Sequence, residues 1–348
     1  MPPLLPRLPR QVAVVSYRLG GTDGVAVEAA KWARAFEVLG VEVVTIAGSG
    51  TADVLIDGLA ADAIGPIDQV ELRAALSQAE LVVVENCCSL PLNPRAGRAL
   101  AAELRGRPAV LRHHDLVWQR PGLSERAGPP DDPCWRHVTI NERSRLELAA
   151  RGIEAVTMYN CFEPDPPRGA RDETRGAFEV GAGERLLLQP TRAIRRKNVA
   201  GGLLLAAAIG ATYWLLGPAE DGYEDELRRL LDAAAGLGVR ILRGGECGVA
   251  DAYAACDAVV LPSTWEGFGN PAIESALHKK PLAIGAYPVS IELRRYGFSW
   301  FDLGDAERLG RFLDAPDFEL LERNRHIARL RFSTEDLPER LTDLVTAG

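Results

Sequence analysis

The sequence of 348 residues lacks the basic surplus that nucleic-acid-binding proteins usually carry. Its formal net charge is −8, so we expect no nucleic-acid partner. It also lacks any apolar run close to the roughly 20 residues that span a bilayer, so we expect no integral membrane segment. Hydrophobic residues make up 47% and charged residues 25%, which is typical of a globular protein.

The six cysteines form no C-x-x-C pair, and their spacing suggests neither a zinc site nor a secreted disulfide framework. Free thiols are typical of a reducing compartment. The first residues, MPPLLPRLPR, are too short and too rich in proline for a signal peptide. We therefore expect a cytoplasmic protein without a metal site.

The hydrophobic pattern alternates short β-branched runs with longer helical periods, which indicates βαβ units and parallel sheets. Residues 160–183 interrupt this alternation with several prolines and charges, a composition typical of a linker. We therefore predict an N-terminal Rossmann-like domain over residues 1–163, a linker over 164–183 and a second such domain over 184–330. In two doubly wound domains facing a cleft, ligands bind at the carboxyl edges of the sheets.

The most informative stretch is 261–281, LPSTWEGFGNPAIESALHKKP. Glu266 lies in a loop after a predicted strand, and Glu274 follows eight residues later in the next helix. The free N–H groups and the dipole at a helix N-terminus favour a phosphate, and glycines let a diphosphate approach the backbone. The two carboxylates can each accept hydrogen bonds from a diol, and a nucleotide sugar has two diols. An ordinary loop with two surface glutamates is the alternative.

A basic segment, Gln189 to Asn198, follows the first predicted strand of the second domain. Arginine binds phosphate through its bidentate fork and lysine acts as a point charge, so this segment can neutralise a leaving diphosphate. Arg192, Arg195, Arg196 and Lys197 can each supply this charge, and the segment alone leaves open which of them do. A solvated basic turn is the other reading.

Two further motifs lie in the first domain. The first is the glycine loop at residues 20–24, GGTDG, between the first strand and helix; it does not match G-x-G-x-x-G, which argues against NAD. The second is Arg112-His113-His114-Asp115 at a predicted strand end, where a histidine can hydrogen-bond a sugar hydroxyl. Either His113 or His114 can do this, and His113 can instead point into the domain.

Taken together, the E-x7-E stretch and the basic segment resemble the donor-binding signature of glycosyltransferase family 4. The segment Ser290 to Leu293 with Gly297 is similar to the continuation of that family's signature. The resemblance implies retaining enzymes of GT-B fold, with the N-domain mainly for the acceptor and the C-domain for the donor. It also implies that the C-terminal helix, residues 331–348, returns toward the N-domain. His278-Lys279-Lys280 departs from the family, which usually has a small residue and a glycine before the proline.

The resemblance implies that Glu266 contacts the donor sugar and Glu274 the ribose. The residues it implies as catalytic are His114, Arg192, Lys197 and Glu266. The donor-binding candidates are Gly20, Gly21, Arg192, Lys197, Glu266, Gly267, Phe268, Gly269, Asn270 and Glu274. The acceptor candidates are Asp23, Asn86, His113 and Trp118.

The function predicted is transfer of a hexose-type sugar from a nucleoside diphosphate sugar to a small or soluble hydroxyl acceptor. The resemblance implies retention at the anomeric carbon, and the lack of an obvious nucleophilic carboxylate in the N-domain motifs fits front-face attack. Protein cations are expected to replace a divalent ion, so no cofactor or metal is predicted. The alternatives are a nucleotide-sugar epimerase of GT-B fold and a non-catalytic nucleotide-sugar-binding protein. The sequence leaves the nucleotide, the sugar, the acceptor and the oligomeric state open.

Overall fold

The protein was analysed as a computed structural model that describes residues 3–21, 23–120, 128–245 and 247–346. The chain divides into two compact units. Unit 1 comprises Met1–Cys161 and Thr334–Gly348, and unit 2 comprises Phe162–Ser333. Each unit contains one parallel β-sheet with helices, as the alternating hydrophobic pattern predicts.

The first part of unit 1 contains seven strands and four helices among the described residues. The strands are β1 (Gln11–Leu19), β2 (Glu42–Gly50), β3 (Val54–Leu55), β4 (Leu81–Glu85), β5 (Ala109–His113), β6 (Trp135–Thr139) and β7 (Ala155–Thr157). The helices are α1 (Gly24–Val38), α2 (Gln69–Leu76), α3 (Pro94–Leu104) and α4 (Glu142–Ala149).

The sheet of unit 1 has the order β3-β2-β1-β4-β5-β6-β7, and its neighbouring strands pair in parallel. The chain moves outward from β1 on one side and then from β4 on the other. The topological switch point therefore lies between β1 and β4, and ligands of doubly wound sheets bind at the carboxyl edge there. The glycine loop, the end of β4 and the end of β5 all lie at this edge.

Unit 2 begins with the segment predicted as a linker, which contains a helix. Its strands are β8 (Leu186–Gln189), β9 (Thr212–Leu215), β10 (Ile241–Arg243), β11 (Ala258–Leu261), β12 (Leu282–Ile284) and β13 (Phe301–Asp302). Its helices are α5 (Arg171–Ala177), α6 (Val199–Ile209), α7 (Glu224–Gly236), α8 (Val249–Ala255), α9 (Asn270–Leu277), α10 (Pro288–Arg294), α11 (Ala306–Asp314) and α12 (Phe318–Phe332).

Helix α5 shows that residues 164–183 are part of unit 2 rather than a free connection. Arg171 Nη2 donates to Asp257 Oδ1 over 2.5 Å, and Arg175 Nη1 donates to the carbonyl of Ala255 over 2.9 Å. Arg175 is buried. The charged residues of this segment, which favoured a linker in the sequence analysis, therefore contact the end of α8. Sequence periodicity does not reveal such contacts.

The sheet of unit 2 has the order β10-β9-β8-β11-β12-β13, again with parallel pairs. Its switch point lies between β8 and β11. The loops that follow these two neighbouring strands therefore emerge side by side, although they are far apart in sequence. Strands β3 and β13, of two residues each, were not predicted because they are too short to show a period.

The last helix, α13 (Leu337–Thr346), belongs to unit 1. Its apolar residues Leu341 and Leu344 join the core that contains Trp32 and Phe36 of α1. Arg136 Nη1 donates to the carbonyl of Leu344 over 2.7 Å. Within the described residues, none of the helices has the length and apolar character needed to cross a membrane.

Candidate active site

The loops after β8 and β11 meet at the switch point of unit 2. Asn198 has a φ of 48°, caps α6 by accepting from the N–H of Gly201 over 3.2 Å, and donates from Nδ2 to the carbonyl of Pro262 over 3.1 Å. The N–H of Thr264 donates to the carbonyl of Arg196 over 2.9 Å. These bonds hold the basic segment against the loop that carries Glu266.

Glu266 lies buried in a cage of hydrogen-bond donors. Arg196 Nη1 donates to Glu266 Oε2 over 2.7 Å, and Lys197 Nζ donates to Oε1. Ser263 Oγ donates to the same Oε1 over 2.5 Å. A buried carboxylate of this kind needs compensating partners, because removing its charge from water is costly. Here two cations and one hydroxyl supply the compensation.

Burial by itself raises the pKa of Glu266, but the nearby charges of Lys197 and Arg196 outweigh it and the pKa lies below the ordinary value of 4.5. The carboxylate is therefore ionised at neutral pH. An ionised glutamate can only accept hydrogen bonds, and sugar hydroxyls can donate them.

Arg192 is not part of this cage. Its Nη1 makes an ion pair with Glu220 Oε2, and both side chains are partly exposed. Of the two cations that the family resemblance implies, the structure brings Lys197 to Glu266 and pairs Arg192 with Glu220. Arg196, which the sequence left as an alternative, occupies the second place.

Gly269 begins the turn into α9 with a φ of 97°, a conformation that favours glycine. A Cβ at this position would lie 2.3 Å from Tyr287 Oη, so the ring of Tyr287 also excludes a side chain. Pro271 occupies the first turn of α9, where its missing N–H costs little. The glycine therefore lets this turn bring the helix N-terminus to the carboxyl edge of the sheet.

The Tyr287 side chain is buried, and its Oη has no hydrogen-bond partner among the described residues. Burial and the charge of Glu266 raise its pKa well above the ordinary value of 10.0. Phe268 is also buried, and its ring packs 6.0 Å from that of Phe162 and 5.9 Å from that of Phe332. The side chain of this donor-binding candidate therefore anchors the loop. Gly267 and Asn270 flank this anchor in the same turn.

Glu274 lies on α9, and its side chain contacts Tyr253 of α8. Tyr253 Oη donates to Glu274 Oε2 over 2.7 Å. Glu274 is partly exposed, whereas Tyr253 is fully buried. The carboxylate predicted to bind ribose therefore borders solvent on a helix whose N-terminus meets the Glu266 loop.

In unit 1 the glycine loop follows β1. Gly20 has a φ of 71°, and a Cβ there would lie 2.6 Å from Thr51 Cβ, so glycine is needed for the turn. Gly21 follows it, and Thr22 lies outside the described residues. Asp23 caps α1 by accepting from Val25 and Ala26 N–H groups, both over 3.1 Å. Its contact with an acceptor remains a prediction.

A buried ion network lies at the ends of β4 and β5. Arg112 donates to Glu28 Oε2 over 3.0 Å and to Glu85 Oε1 over 3.2 Å. Glu85 Oε2 lies 2.6 Å from His114 Nε2. Burial by itself raises the pKa of Glu85, but Arg112 and His114 outweigh it and the pKa lies below its ordinary value. The network fixes the ring of His114, the histidine favoured from sequence.

His113 points into the domain, the alternative left open by the sequence. Its Nδ1 lies 2.5 Å from Ser89 Oγ, and its Nε2 lies 2.9 Å from His137 Nδ1. His137 Nε2 in turn lies 3.1 Å from Asp131 Oδ1. Burial, followed by the charge of His137, holds the pKa of His113 well below 6.5. A neutral, interior ring is not placed to bind an acceptor.

The other two acceptor candidates have structural contacts. Asn86 has a φ of 65°, and its Oδ1 accepts from the N–H of His114 over 3.1 Å, so it positions that histidine's backbone. Trp118 Nε1 donates to Glu147 over 2.8 Å, and the guanidinium of Arg151 lies 3.7 Å from the centroid of its ring. This cation–π contact occupies one face of the ring of this acceptor candidate.

Sequence reasoning missed Ser263, Asn198 and Glu28. Ser263 and Asn198 lie within the predicted motifs, so their position in the sequence could have indicated a role in the site. Glu28 carries no such signal, because an acidic residue on an amphipathic helix is normally exposed. Among the described residues, no cluster of three or more His, Cys, Asp or Glu side chains could hold a metal ion.

No protein-family model matches the chain. Mannosylglucosylglycerate synthase from Thermotoga maritima is 25% identical, and the aligned region covers 95% of this chain and 99% of that protein. HepE of Anabaena, solved in complex with UDP-glucose, is similar with a TM-score of 0.75 and 16% identity over 97% of this chain and 100% of that chain. A glycosyltransferase from Rickettsia africae has a TM-score of 0.72 and 15% identity, covering 97% and 99% of the respective chains.

These comparisons confirm the predicted GT-B fold class, since the structural similarity extends over nearly the whole of each chain. They also confirm the prediction that the chain is a glycosyltransferase enzyme. Membership of glycosyltransferase family 4 remains a prediction, as do the individual roles of the site residues.

Proposed function

We propose that this glycosyltransferase transfers a hexose from a nucleoside diphosphate sugar with retention of anomeric configuration and without a metal ion. The observation that carries the proposal is the cage of Lys197, Arg196 and Ser263 around Glu266, beside the N-terminus of α9. This arrangement combines a carboxylate for sugar hydroxyls with positive charge for a leaving phosphate.

In this proposal Glu266 accepts hydrogen bonds from the hexose and Glu274 from the ribose. The diphosphate then lies against the first turn of α9, where the helix dipole and the backbone N–H groups favour an anion. The spacing supports this division. Glu266 precedes the helix, and Glu274 lies in its second turn, eight residues later.

The reaction breaks the bond between the anomeric carbon and the diphosphate oxygen and forms one between that carbon and the acceptor oxygen. The acceptor's proton passes to the departing phosphate oxygen, so attack occurs on the face from which the diphosphate leaves. Negative charge grows on the diphosphate during this step. Lys197 and Arg196 stabilise that charge in place, as preorganised groups in a site of low dielectric.

Metal independence follows from this supply of fixed charge. Lys197 provides a point charge and Arg196 a planar fork, two forms in which basic side chains bind phosphate. Arg192 pairs with Glu220 in this structure, and its approach to the phosphates is part of the proposal.

We place the acceptor with unit 1, whose His114 is held by Glu85 and whose glycine loop follows β1. A small hydroxyl compound is the expected acceptor class. The name of the Thermotoga maritima relative includes mannosyl, glucosyl and glycerate groups. A mannosyl donor and an acceptor with a glycerate carboxylate therefore belong in the first assays.

The test begins with thermal shifts in UDP, GDP, ADP and dTDP sugars. A ligand at 100 times its dissociation constant stabilises the folded protein by about 2.7 kcal/mol, which is easily measured. The donor that binds is then incubated with and without acceptors, and the anomeric configuration of the product is determined. Absence of binding to all donors would contradict the proposal. An epimerised nucleotide sugar, or binding without any turnover, would support one of the two alternatives.

A further inference from the structure

The residues at the end of α9 that depart from the family pattern contact α8. His278 stacks on Tyr253, with ring centroids 4.7 Å apart and planes within 7°. Lys280 Nζ donates to the carbonyl of Cys256 over 2.7 Å and to that of Ala254 over 3.2 Å. A residue without a ring at position 278 would lose the stack, and a residue without an amine at position 280 would lose both hydrogen bonds. His278 and Lys280 therefore join the last turn of α8 to the end of α9.

The ring of Tyr253 is held from two directions. Its side chain is fully buried and stacked on His278, and its hydroxyl donates to Glu274. Burial and the adjacent Glu274 raise the pKa of Tyr253 well above 10.0, so the phenol stays protonated and remains a donor. Burial, followed by the charge of Lys280, lowers the pKa of His278 to about 4, so the stacked imidazole is neutral at physiological pH.

The hydrogen bond from Tyr253 restricts the rotation of the Glu274 carboxylate. A glutamate on a helix has three rotatable side-chain bonds and loses entropy when a ligand orders it. A hydrogen bond to Oε2 removes part of that freedom before a ligand arrives. An ionised carboxylate offers about four lone-pair positions, so accepting from Tyr253 leaves capacity for further hydroxyl donors.

We propose that Tyr253 and His278 are positioning residues that hold the Glu274 carboxylate ready for the ribose diol of the nucleotide. This inference rests on the proposed function, because it takes Glu274 as the ribose ligand. Tyr253 acts on the nucleotide only through Glu274, and His278 acts only through Tyr253. Their contribution therefore depends on the ribose hydroxyls and on no other part of the ligand.

The experiment measures calorimetric affinities for UDP, GDP and ADP and for their 2′,3′-dideoxy counterparts. The variants are Tyr253→Phe, which removes only the hydroxyl, and His278→Leu, which removes the aromatic stack. Tyr223→Phe is the matched control, since it removes a buried tyrosine hydroxyl in unit 2 at a distance from Glu274 along the chain. Thermal midpoints of all variants are recorded in parallel.

Tyr253→Phe is expected to weaken the preferred ribonucleotide about tenfold, near the worth of one net hydrogen bond. Its affinity for the dideoxy nucleotide should equal that of the wild type. His278→Leu should show a smaller loss, again confined to the ribonucleotide, and should add nothing in the Tyr253→Phe background. The Tyr223→Phe control should bind both ligands as the wild type does.

Equal losses on the ribose and dideoxy ligands would overturn the inference, because general loosening of α8 and α9 does not distinguish the sugars. An unchanged ribonucleotide affinity in Tyr253→Phe would overturn it as well. If the wild type binds no nucleoside diphosphate, the proposed donor site itself fails, and the inference with it. If Tyr253→Phe does not fold, His278→Leu decides by the same comparison of ligands.

Discussion

Arg196 Nη1 and Glu266 Oε2 lie 2.7 Å apart, although the two residues are separated by 70 positions in the chain. They meet because β8 and β11 are neighbours in the sheet and the loops that follow them emerge at the same edge. The same guanidinium donates to the carbonyl of Trp265 over 3.0 Å. Arg196 therefore holds both the side chain and the backbone of the loop that leads into α9.

The two carboxylates should respond differently to substitution. Glu274→Gln should weaken the nucleoside diphosphate and the intact donor alike by about ten- to a hundredfold, because a hydrogen bond to a charged group contributes roughly 1.5–3 kcal/mol. Glu266→Gln should leave the diphosphate affinity nearly unchanged while transfer falls steeply. Calorimetry with the diphosphate on both variants measures this. Equal losses in both, or a loss in Glu266→Gln alone, would mean that the assignment is wrong.

Arg196 should matter to transfer, and its neighbour should not. Arg196→Met removes a donor to buried Glu266, and we expect kcat to fall at least about tenfold, the effect of losing about 1.4 kcal/mol of transition-state stabilisation. Arg195→Met is the matched control, since Arg195 is exposed and pairs with Glu226. Steady-state kinetics of the two variants decide. Similar activity in both would exclude Arg196 from the reaction.

The ion pairs of Glu266 with Lys197 and Arg196 should make the free energy of unfolding depend on pH in the acid range. The pKa of Glu266 is below 4.5 in the folded chain, so its contribution is fully present above that value and is lost as the pH falls through the lowered folded pKa. The unfolding free energies of wild type and Glu266→Gln should therefore differ by a constant amount above about pH 5 and converge below pH 4.5. Denaturant titrations across this range measure the difference. The exposed Glu319→Gln serves as the control, and a gap that persists undiminished to pH 3 would contradict the cage.

Turnover should survive excess EDTA. The expectation follows from the positive charge that Lys197 and Arg196 place beside Glu266. In our proposal this charge takes the place of a divalent ion at the diphosphate. Product formation is measured with and without chelator, and then after addition of manganese or magnesium. Activity that disappears with EDTA and returns with either ion would refute the metal-free mechanism.

Arg112 should be essential to the stability of unit 1. It is fully buried and joins Glu28 to Glu85, so Arg112→Met would remove the cation that these two buried carboxylates share. Among the described residues, Glu28 would keep only Lys31, and Glu85 would keep only His114. Loss of one partner of a buried ion pair costs about 3–5 kcal/mol. The exposed Arg34→Met should change stability by less than about 0.5 kcal/mol. Chemical denaturation compares them, and an Arg112→Met protein as stable as this control would show that the carboxylates find other partners.

The sequence by itself determined the alternation of strands and helices, because hydrophobic period and glycine position are local properties. The short apolar runs Leu186–Gln189, Ala258–Leu261 and Leu282–Ile284, for example, are strands in the structure. The turn from Gly269 into α9 also followed from local chemistry, since a glycine followed two residues later by a proline is typical of a helix start. The donor-loop residues could therefore be named without a structure.

Only the tertiary structure decided which cation meets Glu266, which histidine faces inward and what the end of α9 contacts. Arg192 and Arg196 are both arginines of the same basic segment, so the sequence does not distinguish them. Their partners depend on how two loops that are distant in sequence lie side by side. His113 and His114 point in different directions because successive side chains near a strand end alternate between faces. The contact of Tyr253 with Glu274 joins two different helices, and the hydrophobic pattern of each helix does not show that they pack together. Side-chain partners of this kind depend on tertiary packing, which the local sequence pattern does not predict.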